Sequence, residues 1–320
     1  IGLELALSRN VLRAWFDFHP QVMHDLHESV PFLYVMSGTG PFNPSLDPLM
    51  IDEWHRMAYA DVDEMTRRGV PGVWLHGFYD GWAPNYMLWI GTGHNSIGRF
   101  YETFGNRWPI TAGRVVRGAS TRQWYRPNPP LPQVKWSLRN NVNVQQSAVL
   151  FSLMDMAKNR RRFLENFYAI GRRAVAKAAN EGPAAWVFDG AQKRQGNLRD
   201  LMLLLRRHGV EVHVATGPFT LKAGWPPPAP AKKDDAKKDA AAEKKSDAKP
   251  ESDAPVTFAK GSFIVRMDQP YSRLADALLD VQYVRGDERV YDDTGWTLGY
   301  LKNVAFKRVV NPDVLKVAMQ

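Results

Sequence analysis

The sequence predicts an α/β protein, and three observations carry that prediction. Over 320 residues the apolar positions switch repeatedly between helical spacing and short apolar or alternating runs. Gly and Pro fall at the switches, as at Gly69, Gly72 and Gly182-Pro183. Hydrophobic residues make up 44% against 23% charged, enough for layered elements to bury a large core.

Taken in order, residues 2–17 read as an amphipathic helix ended by His19-Pro20. Val22–Glu28 and Phe32–Met36 read as strands, with a turn at Ser37–Pro41. Asp47-Pro48 opens a helix that runs to Arg68, and Gly69 stops it. Gly72–Phe78 and Ile97–Phe104 are strand-like, and residues 142–180 read as one long helix closed by Gly182-Pro183. The rhythm then changes. Ala184–Phe188, Asn197–Arg207 and Gly209–Ala215 form a β-α-β pattern, followed by a strand at Ser262–Met267 and a helix at Ser272–Leu279. Two domains are expected, 1–182 and 183–320.

Within the second domain, residues 226–255 hold seven lysines and seven acids, with no aromatic or β-branched residue. Such a segment cannot bury enough surface to offset the entropy of ordering, so a disordered insertion is expected there. Its charges cancel, so it offers no basic tail for nucleic acid. The chain's net charge of +9 has another source. From Arg107 to Arg139 there are seven basic residues and no acid, interleaved with Trp108, Trp124, Tyr125 and Trp136 and with Pro127, Pro129, Pro130 and Pro132. Such a stretch can be a nucleic-acid platform, a wall facing an anionic substrate, or an extended loop whose arginines bond backbone carbonyls. The proline content favours the loop, and no nucleic-acid partner is expected.

No cysteine is present, which excludes disulfides, thiolate metal sites and Cys nucleophiles. No apolar run approaches the ~20 residues of a membrane span, so none is expected. The chain starts at Ile1 inside helical spacing, without a signal segment, and reads as the downstream part of a longer protein.

The stretch Pro20–Ser29 carries the most chemistry. On a strand, alternate side chains share a face. Met23, Asp25 and His27 therefore lie together, while His24 and Glu28 lie opposite, so His24 and His27 do not share an ion despite the H-x-x-H spelling. The zinc-protease pattern H-E-x-x-H is not met, because no histidine stands four positions after His27. One imidazole remains, His27 at the end of a strand, with Asp25 placed to orient it. His76 and His94 flank one loop, and His55 lies on a helix; each has a plain structural role as its simplest reading. Gly91-Thr-Gly93 followed by Gly98 lacks the G-x-G-x-x-G spacing of a dinucleotide site.

Asp25-Leu-His-Glu-Ser29, Gly38-Thr-Gly-Pro-Phe-Asn43, Gly69-Val-Pro-Gly72, His76-Gly-Phe-Tyr-Asp-Gly-Trp82 and Gly98-Arg-Phe-Tyr-Glu-Thr-Phe-Gly105, in that order, resemble the second half of a zinc metallocarboxypeptidase domain of the carboxypeptidase A type, in its large bacterial branch. With the long helix that follows, the resemblance covers about the first 180 residues. It implies Zn2+ as cofactor, His27 as a metal ligand, and Glu102, 75 residues later, as the catalytic base. It also implies a hydrolase that removes terminal residues from peptides or peptide-like amides, in a periplasmic or secreted setting. Tyr79 and Tyr86 precede Glu102 on a loop that would cover the substrate, and the sequence does not choose between them. The family's other two zinc ligands come from an H-x-x-E motif, and no H-x-x-E precedes His27 here. The upstream half of the same polypeptide is therefore expected to supply it, leaving these residues inactive alone. The alternative is a catalytically inactive relative that serves as a binding or scaffolding module. Residues 183–320 resemble the class I glutamine amidotransferase-like domain that follows in this branch, without the cysteine that such an activity needs. In that domain Asp268–Arg273 and Tyr291–Trp296 read as docking or structural turns.

Overall fold

The computed structural model describes residues 2–222, 255–281 and 296–320. The expected insertion lies outside the described residues except for Pro255, as does the 291–295 part of the second polar turn. The architecture is mixed α/β with mixed sheets, in two compact units.

The first unit comprises residues 1–175 and 270–297. Its elements in order are α1 (Ala6–Phe18), β1 (Val22–Glu28), β2 (Leu33–Val35), α2 (Pro48–Arg67), β3 (Val73–Trp74), α3 (Leu88–Gly93), β4 (Ile97–Thr103), β5 (Ala112–Val115), β6 (Gln133–Trp136), α4 (Leu138–Lys158) and α5 (Arg160–Asn180), the last running on into the second unit's residues. Four strands form a sheet in the order β1-β4-β2-β3. β1 runs parallel to β4, β2 antiparallel to β4, and β3 parallel to β2.

Both faces of this sheet are covered over β2 and β4, while β1 leaves Leu26 and Glu28 exposed on one of them. On the face opposite these two side chains, Phe100 and Tyr34 share a cluster with Leu88 and Trp89 of α3 and with Met50 and Trp54 of α2. On the other, Leu33, Val35 and Tyr101 pack against Ala58, Val62 and Met65 of α2 and Ala148 of α4. α2 starts where Asp47 accepts from the Leu49 N–H, with Pro48 at the first helical position. The close approach of α3 to the sheet depends on glycine. A Cβ at Gly98 would stand 1.9 Å from the Leu88 carbonyl oxygen and 2.5 Å from Thr92 Oγ1. Gly91 likewise faces Met23 of β1.

Several expectations change here. α3 was expected as loop. Its Gly91 and Gly93 weaken helix propensity, yet Gly91 leaves room for Met23 of β1 and Gly98 of β4, and Gly93 leaves room for Leu274. The strand expected at Gly72–Phe78 shortens to β3, after which the chain turns through left-handed Gly77 and Phe78. The single helix expected over 142–180 is α4 and α5, divided at Asn159, whose side chain turns back to bond Asp155. The basic stretch contains an antiparallel ribbon, β5–β6, whose Trp136 and Val134 join Phe32, Phe104 and Val116 in a small core.

The second unit comprises residues 176–269 and 298–320. It contains β7 (Ala185–Phe188), α6 (Gln195–Arg207), β8 (His213–Val214), β9 (Phe219–Lys222), β10 (Pro255–Phe258) and β11 (Phe263–Arg266). After α7 (Ser272–Leu279), which belongs to the first unit, come α8 (Leu298–Leu301) and β12 (Phe306–Val309). The sheet order is β12-β7-β11-β8. β11 pairs antiparallel with both β7 and β8, so the expected β-α-β unit has a third strand between its two strands. β9 and β10 form a hairpin, which brackets the undescribed segment.

The division falls at 175/176 rather than at the expected 182/183, and α7 belongs to the first unit. Every residue of α7 is buried. Within that unit Ser272 Oγ donates to the Ala174 carbonyl at 2.6 Å, Arg273 lies 3.6 Å from buried Asp47, and Trp296 Nε1 donates to the Ala277 carbonyl.

The α3–sheet contact yields a direct test. Gly98→Ala places a methyl group inside backbone and is expected to destabilise the protein by about 1–3 kcal/mol, read from urea denaturation midpoints. Gly105→Ala, where a Cβ meets nothing within 4 Å, is the control and should leave the midpoint nearly unchanged. Equal midpoints for both variants would contradict the packing described.

Candidate active site

β1 and β4 lie side by side and parallel, in a register that pairs Asp25 with Phe100 and His27 with Glu102. Strand alternation sends Asp25, His27, Phe100 and Glu102 to one face, the α3 face, so the two residues singled out 75 positions apart become neighbours. Asp25 Oδ2 lies 2.9 Å from His27 Nε2, and Glu102 Oε1 lies 3.8 Å from His27 Nδ1. The two carboxylates thus stand at opposite nitrogens of one imidazole.

Both carboxylates are buried, whereas the His27 side chain keeps 26% of its surface open. Ser29 Oγ donates to Glu102 Oε2 at 2.9 Å. Gln145 of α4 donates to the His27 carbonyl at 2.8 Å and fixes the end of β1. The close approach and charge of Asp25 raise the His27 pKa, with Glu102 adding to the rise against the opposing effect of burial. Burial raises the pKa of Glu102, opposed by the Ser29 bond and the His27 charge. A carboxyl shifted in this direction is better able to hold and release a proton near neutral pH.

The loop residues now separate. Tyr86 is the half-open one and meets the His27 ring edge-on at 5.7 Å. Tyr79 is buried, and its hydroxyl accepts from Trp89 Nε1 at 3.2 Å. His94 is buried with Nδ1 2.6 Å from the Ile90 carbonyl, His55 Nδ1 contacts the Ile51 carbonyl, and His76 rests against Trp124 and Tyr125. None of these three histidines joins His27. Glu28 is exposed on the opposite strand face. Ser29 and Gln145 were missed by sequence reasoning. Ser29 closes the Asp-x-His-x-Ser run, but nothing in the sequence ties Gln145 to it.

His24 points to the far side of β1. Its Nε2 lies 3.2 Å from Ser152 Oγ of α4, beside the Tyr101 ring. Here Arg99 and Asp61 form a fully buried pair at 2.7 Å, and the Tyr101 hydroxyl donates to the same Asp61 oxygen. Burial, then the Arg99 charge, push the His24 pKa down to about 3.

Among the described residues, no group of three or more His, Asp or Glu side chains could hold a metal ion. The geometry explains this for the His27 cluster: Asp25 and Glu102 approach from opposite sides and do not converge. The donor chemistry fits a single metal ligand, one imidazole with a carboxylate at its other nitrogen, which is the usual support of a metal-bound histidine. The H-x-x-E spelled by His208–Glu211 is in the second unit, at the end of α6 and around left-handed Gly209. No family model, curated protein or solved structure matches the chain.

The half-buried His24 gives a pH prediction. Below about pH 6.5 the unfolded chain binds a proton at this position that the folded chain refuses until about pH 3. Stability from neutral His24 is therefore complete above pH 6.5 and declines as pH falls through that window. His24→Gln is expected to flatten the dependence of the urea midpoint on pH between these limits. An unchanged slope would contradict the burial of a neutral imidazole.

Proposed function

We propose that the chain carries part of the active site of a zinc-dependent, carboxypeptidase-like hydrolase that removes a terminal residue from peptides or peptide-like amides. The observation that supports this reading best is the ordered contact Asp25–His27–Glu102 at the ends of two parallel strands. His27 would hold zinc through one ring nitrogen, and the remaining ligands would come, on the sequence resemblance, from an H-x-x-E elsewhere in the polypeptide. When bound, zinc supplies Lewis-acid polarisation of the scissile carbonyl and of an attacking water.

This chain's own residues account for the rest. Asp25 orients the imidazole and favours one tautomer. Glu102 takes a proton from the water at its carboxylate and passes it to the nitrogen of the leaving residue, acting first as base and then as acid. Ser29 holds one Glu102 oxygen and leaves the other toward His27. Tyr86 offers a ring edge beside His27 against which a substrate can close.

In the protein extended upstream to include an H-x-x-E, Glu102→Gln is expected to lower kcat by about 10²-fold or more while zinc stays bound, measured by peptide hydrolysis and metal analysis. His27→Ala should lose both zinc and turnover. Residues 1–320 alone should show neither. Near-normal kcat in Glu102→Gln would overturn the assignment of the base. An extended protein that lacks zinc and turnover altogether would favour the binding-module alternative.

A further inference from the structure

The ribbon β5–β6 sorts the basic stretch into two sets. Facing inward, Arg114 donates to the Gly105 carbonyl at 3.0 Å and to Asn106, and nearby Arg126 donates to the Gly118 carbonyl at 3.1 Å. These are structural, as the extended-loop reading expects. The outward face differs. Register pairs Val115 with Gln133 and Gly113 with Lys135, and the Val116 N–H donates to the Pro132 carbonyl, with exposed Leu131 just before β6 and exposed Arg117 opening a 3₁₀ turn just after β5. Val115 is 63% exposed and Leu131 77%, flanked by exposed Arg117 and Lys135. In the segment leading into β5, Trp108 is 71% exposed and Ile110 58%.

We propose that this outward face is a peripheral docking surface for an anionic lipid bilayer. The charge is complementary, since no acid occurs anywhere from Arg107 to Arg139. Cations beside a negatively charged leaflet draw the ribbon in, and exposed Trp and aliphatic side chains then enter the headgroup and acyl boundary. Single-stranded nucleic acid uses cations and aromatic faces, but it gives bare Ile, Val and Leu side chains nothing to stack on. The aliphatic members of the face therefore favour lipid. No described helix is long and apolar enough to cross a membrane.

The test is co-sedimentation of the 320-residue chain with vesicles rich in phosphatidylglycerol and, in parallel, with pure phosphatidylcholine. The expected result is pelleting with the anionic vesicles alone, reversed by high salt. The double variants Arg117→Gln/Lys135→Gln and Val115→Ser/Leu131→Ser should each weaken partitioning by about tenfold with unchanged melting temperature, because all four side chains are exposed. Binding by oligo-dT that competes with vesicles would assign the face to nucleic acid and overturn the proposal. So would equal partitioning to neutral vesicles, no pelleting at low salt, or a Val115→Ser/Leu131→Ser variant that binds like the parent.

Discussion

The parallel pairing of β1 with β4 is the constraint on which the rest of the first unit depends. Its register sets His27 beside Glu102 and Asp25 beside Phe100, and strand alternation then decides what each face holds. The face that carries the site also receives α3, which approaches so closely that Gly98 has no room for a methyl group. The opposite face carries the other half of the same residues: His24, Arg99 and Tyr101, closed against Asp61 and Ser152. One pairing thus produces two polar clusters with different environments. The half-open one keeps an accessible imidazole. The buried one holds a neutral histidine beside a paired arginine, and its charges are locked together rather than available for chemistry.

The electrostatics of the half-open cluster follow from placing two carboxylates at opposite edges of one ring. Asp25 and Glu102 both favour a protonated His27, yet they cannot close on a common point. Under the proposed function this arrangement would provide one imidazole ligand, its supporting carboxylate and a neighbouring base. Zinc in a hydrolytic centre takes three protein ligands and leaves a position for water. Among the described residues no such set of three is present, so under that proposal the other ligands would have to come from elsewhere in the polypeptide.

Much of this was legible in the sequence because it depends on short-range rules. β1 was read at Val22–Glu28 and α7 at Ser272–Leu279, the bounds observed, since apolar runs and turn residues mark both. The opposed directions of His24 and His27 followed from strand alternation alone. What could not be read depends on tertiary contact. α3 docks on the sheet where Gly91 meets Met23 and Gly98, although that glycine reads locally as loop. The break at Asn159 has no proline or glycine to announce it. Gln145 reaches the His27 carbonyl across 118 positions, and α7 joins the first unit despite following the strands of the second. Glu102 was placed by resemblance, and only the register of β4 shows that it stands next to His27.

The central claim is that Asp25 holds His27 by Nε2 and turns Nδ1 toward Glu102. Nitrogen NMR of the selectively labelled histidines, at a pH where His27 is neutral, measures the tautomer directly. The account predicts a protonated Nε2 and a bare Nδ1 on His27, with that preference lost in Asp25→Ala. A His27 protonated at Nδ1, or a tautomer indifferent to Asp25, would contradict it.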